Sequence, residues 1–328
     1  MQYSHKLKIA VLMGGPSNEH VVSLNSGRMV MKNLDKDKYD VHDIVIERNG
    51  EWPFKPEFLK TKVDLVFIAM HGAYGEDGTI QELLDSLKIP YTGSRTLPSA
   101  LAMNKFITLE HLKRAGINVP QTLLFSKSDW LKNSFAVLKS INTQISYPLI
   151  VKPNRSGSSM GVQVVRTPKE LPAVLAKSFN SARDLIVESY IRGRELTCAV
   201  LDRGVPRTAY ALPPTEIVPV SHEFFNYDAK YDPKGSLEIT PARLPEPWLR
   251  EAKKLALQTH NAIGCRGVSR TDMILGDDEK IYVLEVNTIP GLTENSLLPK
   301  AAKAVGVSFS DLLDRIINAG FLSSHSHG

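Results

Sequence analysis

The stretch that decides the fold lies near the C-terminus and reads VSRTDMIL at 268–275, GDDEK at 276–280 and IYVLEVN at 281–287. The first and third segments are mainly apolar and β-prone, whereas the second is polar and begins with a glycine. Two such runs on either side of a polar turn are typical of a β-hairpin. We therefore predict two antiparallel strands in this part of the chain.

The position of the turn decides which side chains share a face of this hairpin. With the turn centred after Asp278, Asp272 lies directly opposite Glu285, and Arg270 lies opposite Asn287. Because side chains alternate between the two faces of a strand, these four polar groups share one face. The other face is apolar and carries Met273, Leu275, Leu284 and Val286.

The polar face of the hairpin is a candidate metal site. Two carboxylates that face each other repel, unless a cation lies between them or one of them is protonated. Carboxylate and amide oxygens suit Mg²⁺, which usually takes its remaining ligands from water and substrate phosphates. Asp272, Glu285 and Asn287 are therefore candidate magnesium ligands. The same pattern also fits a solvated face on which Arg270 neutralises the acids, and both interpretations stay open.

The composition bounds the class of protein. A chain of 328 residues with 42% apolar and 23% charged residues predicts a folded protein of two or three domains. The net charge is +5 without a Lys/Arg run, which favours a small anionic substrate over nucleic acid. Cys198 and Cys265 lie in apolar contexts, as expected for free thiols in a reducing compartment. The absence of a leader-like or membrane-length apolar run predicts a cytoplasmic protein that binds no membrane.

The pattern of strands and helices divides the chain into three segments, 1–95, 96–190 and 191–328. The first segment alternates strands and helices, which is typical of an open α/β domain with a parallel sheet. The other two mix strands and helices in an α+β manner. Hydroxyl side chains at three expected helix starts are predicted N-caps, namely Ser23, Thr167 and Ser310.

Two loops of the first segment are candidate ligand sites. In an open parallel sheet, ligands bind beyond the carboxyl ends of the strands. The loops at 14–20 and 71–78 leave such strand ends. Glu19 and His71 are the polar groups in these loops that are best placed to reach a ligand. Either loop is equally typical of a plain turn, and both interpretations stay open.

The loop KPNRSGSSMG at 152–161 joins two predicted strands of the second segment. Gly and Ser let successive backbone N–H groups approach an anion, although the GK[ST] ending of a P-loop is missing. The loop is typical either of a flexible lid over phosphates or of a plain turn, and both interpretations stay open. Lys152 at a strand end and Lys105 at a helix start are able to hold phosphates as point charges, although each lysine taken singly is more often a surface residue.

The segment 188–191, which reads ESYI, leaves the last strand of the second segment. Its backbone amide and carbonyl groups are able to read the edge of an adenine. Glu188 or Glu195 is able to accept hydrogen bonds from the exocyclic amine or from ribose hydroxyls. A domain linker with solvated acids is an equally good interpretation of these residues taken alone.

Several motifs together resemble the ATP-grasp superfamily and, within it, the D-alanine–D-alanine ligases. The resemblance extends from Ile9 to about Ile317. It rests on GGxSxE at 14–19, HGxxGEDG at 71–78, YTGS at 91–94, KPxxxGSSxG at 152–161, YxxKY at 227–231, RxD at 270–272 and ExNTxPGLTxxSL at 285–297.

The resemblance implies a role for each matching residue. The catalytic set that it implies is Glu19, Ser158, Tyr231, Arg270 and Gly291. The implied ATP-binding set is Lys105, Lys152, Ser159, Glu188, Tyr190, Ile191, Glu195 and Lys230. The implied set that binds the amino acid substrates is Glu19, His71, Arg270, Gly291, Ser296 and Leu297. The implied metal ligands are Asp272, Glu285 and Asn287, in agreement with the geometry of the hairpin.

The chain departs from the family pattern at a few positions. The pair at 20–21 is His-Val where many members have Arg-Glu, and Ser156 stands where many have Glu. Asn104 stands where Asp is common, and Thr271 stands where an aliphatic residue is more usual. None of these departures removes an atom that the chemistry needs.

The resemblance also implies an architecture. It is an α/β fold, α+β in part, in which three domains form an ATP-grasp structure with an N-terminal open parallel sheet. Residues 1–95 would bind substrate, residues 96–190 would form the lid and nucleotide domain, and residues 191–328 would carry the magnesium site and an omega-type loop. The loop at 156–161 and the stretch at 222–235 are the expected lid.

The implied activity joins two D-alanines with ATP through a D-alanyl phosphate, for peptidoglycan precursor synthesis. The implied cofactors are ATP and two Mg²⁺ ions, with Mn²⁺ able to substitute, and the implied assembly is a homodimer. Rival interpretations are a ligase that uses D-lactate or D-serine second, a ligase for another amino acid, and an idle nucleotide-binding regulator. Tyr231 argues against D-lactate, because relatives that use D-lactate carry a histidine at the matching position.

Overall fold

The computed structural model describes residues 6–202, 208–219 and 235–322. The strands are β1 Leu7–Gly14, β2 Tyr39–Ile46, β3 Leu65–Ile68, β4 Thr122–Ser126, β5 Leu149–Pro153, β6 Gln163–Val165, β7 Asp184–Ser189, β8 Gly193–Asp202, β9 Ala209–Ala211, β10 Thr215–Pro219, β11 Ser236–Ile239, β12 Val268–Gly276 and β13 Ile281–Asn287. The helices are α1 His20–Asn33, α2 Leu59–Lys62, α3 Thr79–Ser86, α4 Thr96–Met103, α5 Lys105–Arg114, α6 Lys127–Gln144, α7 Leu171–Ser181, α8 Glu246–Ile263, α9 Leu297–Lys303 and α10 Phe309–Leu322, with a 3₁₀ turn at Pro56–Phe58.

The N-terminal strands form a parallel sheet in the order β2-β1-β3. This sheet confirms the predicted open α/β architecture. Apolar side chains cover both of its faces, with Ile9 and Val11 in one buried cluster and Ala10 and Leu12 in another. Because β1 and β3 run in the same direction, their carboxyl ends bring the loops at 14–20 and 71–78 to one edge.

The second sheet is antiparallel, with the order β4-β7-β5-β6. One face packs against α6 and α7 through buried residues such as Val151, Val187 and Leu175. Alternation along β5 and β7 turns Lys152 and Glu188 to the opposite face. This sheet therefore presents a polar pair on the side away from its own helices.

The third sheet has the order β11-β10-β8-β12-β13, and β9 pairs with β8 beside this path. The hairpin β12–β13 has the predicted register at its polar end, where Arg270 pairs with Asn287 and Asp272 pairs with Glu285. The buried face of the sheet packs on α8, through a cluster that includes the following side chains: Leu196, Cys198, Val200, Ala252, Leu255, Ala256, Met273, Val283 and Val286.

One prediction about this hairpin is wrong. The register shifts after Asp272, because Met273 pairs with Val283 and Leu284 is skipped. This extra residue makes a β-bulge, which reverses the alternation on the side of the turn. Val283 therefore lies in the core, and Leu284 lines a cavity on the polar side instead of the apolar face.

The three predicted helix caps are also wrong. Helix α1 begins at His20, so Ser23 lies in its first turn, where its hydroxyl donates to the Glu19 carbonyl oxygen at 3.0 Å and accepts the His71 N–H at 2.9 Å. Helix α7 begins after Thr167 and its neighbours have formed a separate turn. Ser308 rather than Ser310 accepts the Asp311 N–H at the start of α10, at 3.1 Å. A hydroxyl near a helix start has other nearby partners, so its presence does not set the first residue.

The predicted domain boundaries stay a prediction. Leu112 and Ile117 of the middle segment lie in the same buried cluster as Leu196 and Ala252 of the C-terminal segment. The middle segment therefore contributes its first helices to the core of the third sheet. Within the described ranges, none of the helices combines the length and apolarity that crossing a bilayer requires.

Candidate active site

A cavity of about 170 Å³ lies between the second and third sheets. It brings together side chains from β5, β7, β8, β12, β13 and the start of α5. The predicted site residues among its lining are Lys105, Lys152, Ser159, Glu188, Tyr190, Ile191, Glu195, Asp272, Glu285 and Leu297. Apolar walls come from residues such as Ile150, Val162 and Leu284. A concave apolar site with a few convergent charges is the usual form of a small-molecule site.

Lys152 and Glu188 form a buried ion pair at one wall of this cavity. The Lys152 Nζ lies 2.9 Å from Glu188 Oε2. Both residues are less than a tenth exposed. Within the described residues, the other carboxylate oxygen of Glu188, Oε1, has no hydrogen-bond partner. A buried acceptor without a partner is costly, so this oxygen marks a position for a ligand donor.

Lys105 connects three parts of the site. It is the first residue of α5, whose start is capped by Asn104 through a bond from the Ile107 N–H at 3.2 Å. The Lys105 Nζ donates to the Ser156 carbonyl oxygen at 2.6 Å and lies 3.3 Å from Glu285 Oε2. The ammonium therefore joins the loop 156–161 to the hairpin.

Arg270 and Asp272 form a bidentate pair on the polar face of the hairpin, with both N–O distances at 2.8 Å. Thr197 also donates to Asp272, at 2.7 Å, and the Asn287 amide donates to it at 3.3 Å. Burial alone would lower the pKa of Arg270, but the charge of Asp272 and then that of Glu285 raise it above its ordinary value. Arg270 is therefore a permanent cation that neutralises Asp272 in this structure.

Glu19 and the loop 156–161 meet at a second cluster, on the N-terminal side of the hairpin. The Ser158 hydroxyl donates to Glu19 Oε1. A Cβ at Gly72 would lie only 2.7 Å from Glu19 Oε2, and one at Gly157 would clash with the same carboxylate. The Glu19 carboxylate is thus enclosed by two glycines, which is possible only because neither has a side chain.

His71 is buried beside this carboxylate. Its Nε2 is 2.8 Å from the Ser26 hydroxyl, and its ring also bonds to the backbone of Ile289. Burial lowers the pKa of His71, although the Glu19 charge opposes this effect. The Ser17 hydroxyl donates to the His71 carbonyl oxygen at 2.7 Å, which ties the loop 14–20 to the loop 71–78. A neutral imidazole is the form that this environment favours.

Glu76 also faces this cluster, and it is not among the predicted site residues. Its Oε2 accepts the Gly72 N–H at 2.7 Å, and the Ile289 N–H also bonds to the carboxyl group. Burial, and after it the charge of Glu19, raises the pKa of Glu76 to about 8. The only signal for it in the sequence is its place inside the HGxxGEDG motif.

The remaining predicted residues divide into two groups. Ser296 precedes α9 and accepts the Thr293 N–H at 3.1 Å, and a Cβ at Gly291 would lie 2.8 Å from its hydroxyl oxygen. The structure therefore brings Gly291 and Ser296 together. Lys230 and Tyr231 lie outside the described residues, as does most of the predicted lid stretch 222–235.

Two family models match almost the whole chain. The model of the D-ala D-ala ligase N-terminus matches residues 8–60 and 53–94, and the model of the D-ala D-ala ligase C-terminus matches residues 111–318. A D-alanine–D-alanine ligase of Geotalea uraniireducens is 41% identical over 315 residues, which is 96% of this chain and 96% of that protein. The chain belongs to the D-alanine–D-alanine ligase family. A second D-alanine–D-alanine ligase, from Carboxydothermus hydrogenoformans, is 41% identical over 96% of this chain and 98% of its own length.

Solved structures of the D-alanine–D-alanine ligase family and of a sister ligase share the fold. The VanG D-Ala:D-Ser ligase from Enterococcus faecalis superposes with a TM-score of 0.84 at 35% identity, over 96% of this chain and 100% of that one. The D-alanine–D-alanine ligase from Bacillus anthracis complexed with ATP has a TM-score of 0.81 at 34% identity, over 98% and 100%. The ATP-grasp architecture expected from the motifs is therefore confirmed, and members of the family are ADP-forming ligases that use ATP.

Proposed function

We propose that this protein joins two D-alanines with ATP and releases ADP, phosphate and D-alanyl-D-alanine, a peptidoglycan precursor. The observation that carries the proposal is the cavity in which Lys105, Lys152, Asp272 and Glu285 converge. The two lysines suit the phosphates of a nucleoside triphosphate, and the Asp272 and Glu285 carboxylates suit its metal ions. The family relationship supplies the identity of the two amino acids.

The cavity is suited to ATP at both of its ends. Lys105 and Lys152 would hold the phosphates, with Ser159 and Lys230 as further partners. The partnerless Oε1 of Glu188 is an acceptor for the exocyclic amine of adenine, a donor that guanine lacks at that ring position. Tyr190 and Ile191 would offer their backbone groups to the same edge, and Glu195 would take the ribose hydroxyls.

The donor set of the hairpin fits magnesium. Within the described residues, no group of three or more His, Cys, Asp and Glu side chains is arranged to hold a metal ion. Asp272, Glu285 and the Asn287 amide would therefore leave ligand positions for phosphate oxygens. This incomplete set of oxygen donors is the kind that Mg²⁺ accepts. We propose two Mg²⁺ ions, replaceable by Mn²⁺, whose charge offsets that of the phosphates when they are bound. Asp272 would then exchange part of its pairing with Arg270 for the metal.

The first amino acid would bind at the Glu19 cluster. Glu19 would receive its ammonium group, with His71 beside it. The carboxylate of this D-alanine would attack the γ-phosphorus and form an acyl phosphate. Arg270 would stabilise the charge on the transferred group, because its guanidinium is always cationic and matches phosphate oxygens in a bidentate manner.

The second amino acid would attack the acyl carbon. Ser296, Leu297 and Lys230 would hold this second D-alanine, and the Gly291 N–H and Arg270 would stabilise the oxyanion that forms. Ser158 and Tyr231 would keep the site closed around Glu19. Exclusion of water is necessary because an acyl phosphate hydrolyses, and the bond from Ser158 to Glu19 is a contact that serves this purpose.

The experiment that tests this function measures ADP release with D-alanine, L-alanine, D-serine and D-lactate in turn, followed by the mass of each product. Of the four compounds, we expect only D-alanine to support ADP release when it is supplied as the sole amino acid, and we expect the product to be a dipeptide. Removal of Mg²⁺ with a chelator should stop the reaction, and Mn²⁺ should restore it. Absence of ADP release with D-alanine, or turnover with L-alanine instead, would contradict the proposal.

D-Alanyl-D-serine is the second candidate product. The specific observation in its favour is the TM-score of 0.84 with a D-Ala:D-Ser ligase. The relatives named D-alanine–D-alanine ligase reach 42% identity, compared with 35% for that enzyme, which favours D-alanine. A mixed reaction with equal D-alanine and D-serine, in which the D-serine product dominates, would reverse this order.

We also propose a cellular setting for the enzyme. It would be a cytoplasmic homodimer that binds neither nucleic acid nor membrane. The absence of a Lys/Arg run in the sequence supports the exclusion of nucleic acid. Light scattering coupled to gel filtration would measure the mass in solution, and a monomer at micromolar concentration would contradict the homodimer.

A further inference from the structure

The proposed reaction needs a proton acceptor, and among the residues that the structure describes none of those assigned a role above supplies it. The second D-alanine enters as an ammonium ion, which has no lone pair with which to attack the acyl carbon. It must lose one proton before the C–N bond forms. The inference that follows rests on the proposed function and concerns the group that takes this proton.

Most of the candidate groups around the Glu19 cluster are already engaged. The His71 ring is bonded to the Ser26 hydroxyl and to the Ile289 backbone, so its nitrogens are occupied. Glu19 accepts from Ser158 and is the expected partner of the first ammonium. Arg270 is a permanent cation and cannot accept a proton.

In the described part of the chain, Glu76 is the remaining titratable group of this cluster. It accepts one hydrogen bond from the Gly72 N–H at 2.7 Å and one from the Ile289 N–H. A carboxylate has about four acceptor positions, so these two bonds leave capacity for an ammonium. The contact with Ile289 also places Glu76 beside the turn that leads to Gly291, where the oxyanion is expected.

The charges that face Glu76 explain how its protonation state can change when the first D-alanine binds. Glu19 at the start of α1 raises its pKa, whereas Arg270 on β12 lowers it, and His71 lies on the same loop. When the first D-alanine neutralises Glu19 with its ammonium, the repulsion between the two carboxylates is removed. Glu76 can then ionise in time for the second amino acid.

We infer that Glu76 is the proton acceptor for the ammonium of the second amino acid. One proton passes from the ammonium to a Glu76 oxygen, which leaves a neutral amine and a neutral carboxyl group. The lone pair of the amine forms the C–N bond, and the C–O bond to phosphate breaks with its electron pair on phosphate. Phosphate takes the second N–H proton as it leaves.

The experiment separates formation of the acyl phosphate from its capture. Wild-type protein and Glu76→Gln are incubated with Mg-ATP, D-alanine and hydroxylamine near pH 7.5, where hydroxylamine is an uncharged nucleophile. Hydroxylamine converts the acyl phosphate into D-alanyl hydroxamate without needing a protein base. Dipeptide and hydroxamate are measured in the same reaction by mass.

We expect Glu76→Gln to lose dipeptide formation by about 100-fold or more, the usual contribution of a general base, and to keep hydroxamate formation near the wild-type rate. The matched control is Asp77→Asn, because Asp77 lies on the same loop but bonds to the Tyr74 and Thr79 N–H groups, at 2.9 and 3.0 Å. Its ratio of dipeptide to hydroxamate should equal that of the wild type.

Equal loss of both products in a folded Glu76→Gln protein would overturn the inference, and so would retention of the dipeptide. If thermal melting shows that this variant is unfolded, Glu76→Asp decides instead. The shorter carboxylate should lower the ratio of dipeptide to hydroxamate, and an unchanged ratio would overturn the inference. A wild-type protein that forms neither product contradicts the proposed function itself, which is a different outcome.

Discussion

At the scale of single residues, Thr271 tests what a buried hydroxyl contributes. It lies between Arg270 and Asp272 on β12, and it is fully buried on the face that packs against α8. Within the described residues, its Oγ1 has no hydrogen-bond partner. We expect Thr271→Val to raise the free energy of unfolding by about 1 kcal/mol, because it removes an unsatisfied polar group and keeps the shape. Urea unfolding monitored by fluorescence measures this change.

The neighbouring Ser269 provides the matched control for Thr271. It is equally buried on the same face, but its hydroxyl lies 2.8 Å from His260 Nδ1. Ser269→Ala should therefore lower the free energy of unfolding by about 1 kcal/mol, since it breaks the bond to Nδ1 of the His260 imidazole. A destabilised Thr271→Val protein would show that the hydroxyl has a partner, such as a buried water.

At the scale of elements, the start of α5 is supported by a buried side chain from outside the helix, in addition to its cap Asn104. Asn154 follows β5, and its Oδ1 accepts the Phe106 N–H at 2.9 Å while its carbonyl oxygen accepts the Lys105 N–H at 3.1 Å. Asn154→Ala leaves a helix N–H unsatisfied and loosens Lys105, a proposed phosphate ligand. We expect a several-fold increase in the KM for ATP with a smaller change in kcat, measured by ADP release. Asn154→Asp keeps the acceptor and should restore the KM, and equal KM values in all three proteins would contradict this role.

The hairpin and helix α1 show which structural features local sequence patterns can predict and which they cannot. Alternation of apolar and polar residues was sufficient to pair Asp272 with Glu285, because two buried runs and a short turn allow few registers. It failed at Leu284, since a bulge depends on packing against α8 and leaves no periodic signal. The predicted cap at Ser23 failed for a related reason. Its hydroxyl bonds to His71, which is distant in sequence.

At the scale of the whole molecule, the site exists only where three sheets meet. Ser158 and Glu19 are 139 residues apart, and Lys105 reaches Glu285 across the middle and C-terminal segments. Composition and periodicity contain no information about such contacts. The motifs did identify these residues, because members of a family share the spatial arrangement of their motif residues. Local patterns contain no such information. Glu76 was missed since a motif does not say which of its residues face the site.

The bond between Ser158 and Glu19 leads to a prediction about closure of the whole enzyme. The loop 156–161 is held by this bond on one side and by Lys105 at Ser156 on the other, with the ammonium 3.3 Å from Glu285. When ATP binds, its phosphates should attract the Lys105 ammonium away from the Ser156 carbonyl oxygen. The position of the loop should then be fixed by its contacts with the substrates and by the bond from Ser158 to Glu19. We expect hydrogen exchange in 156–161 to slow when ATP and a phosphinate dipeptide mimic are added to the wild type. Ser158→Ala should reduce that protection, because it removes the bond from the loop to Glu19.

The matched control for closure is Ser181→Ala, which removes a hydroxyl at the end of α7. Among the described residues this hydroxyl bonds within its own helix, to the Ser178 carbonyl oxygen at 3.3 Å. Its exchange in 156–161 should match the wild type with and without ligands. Equal protection of the loop in the free and bound wild type would show that it does not close on the substrates. In that case water exclusion would have to come from another part of the chain, and the role proposed for Ser158 would be wrong.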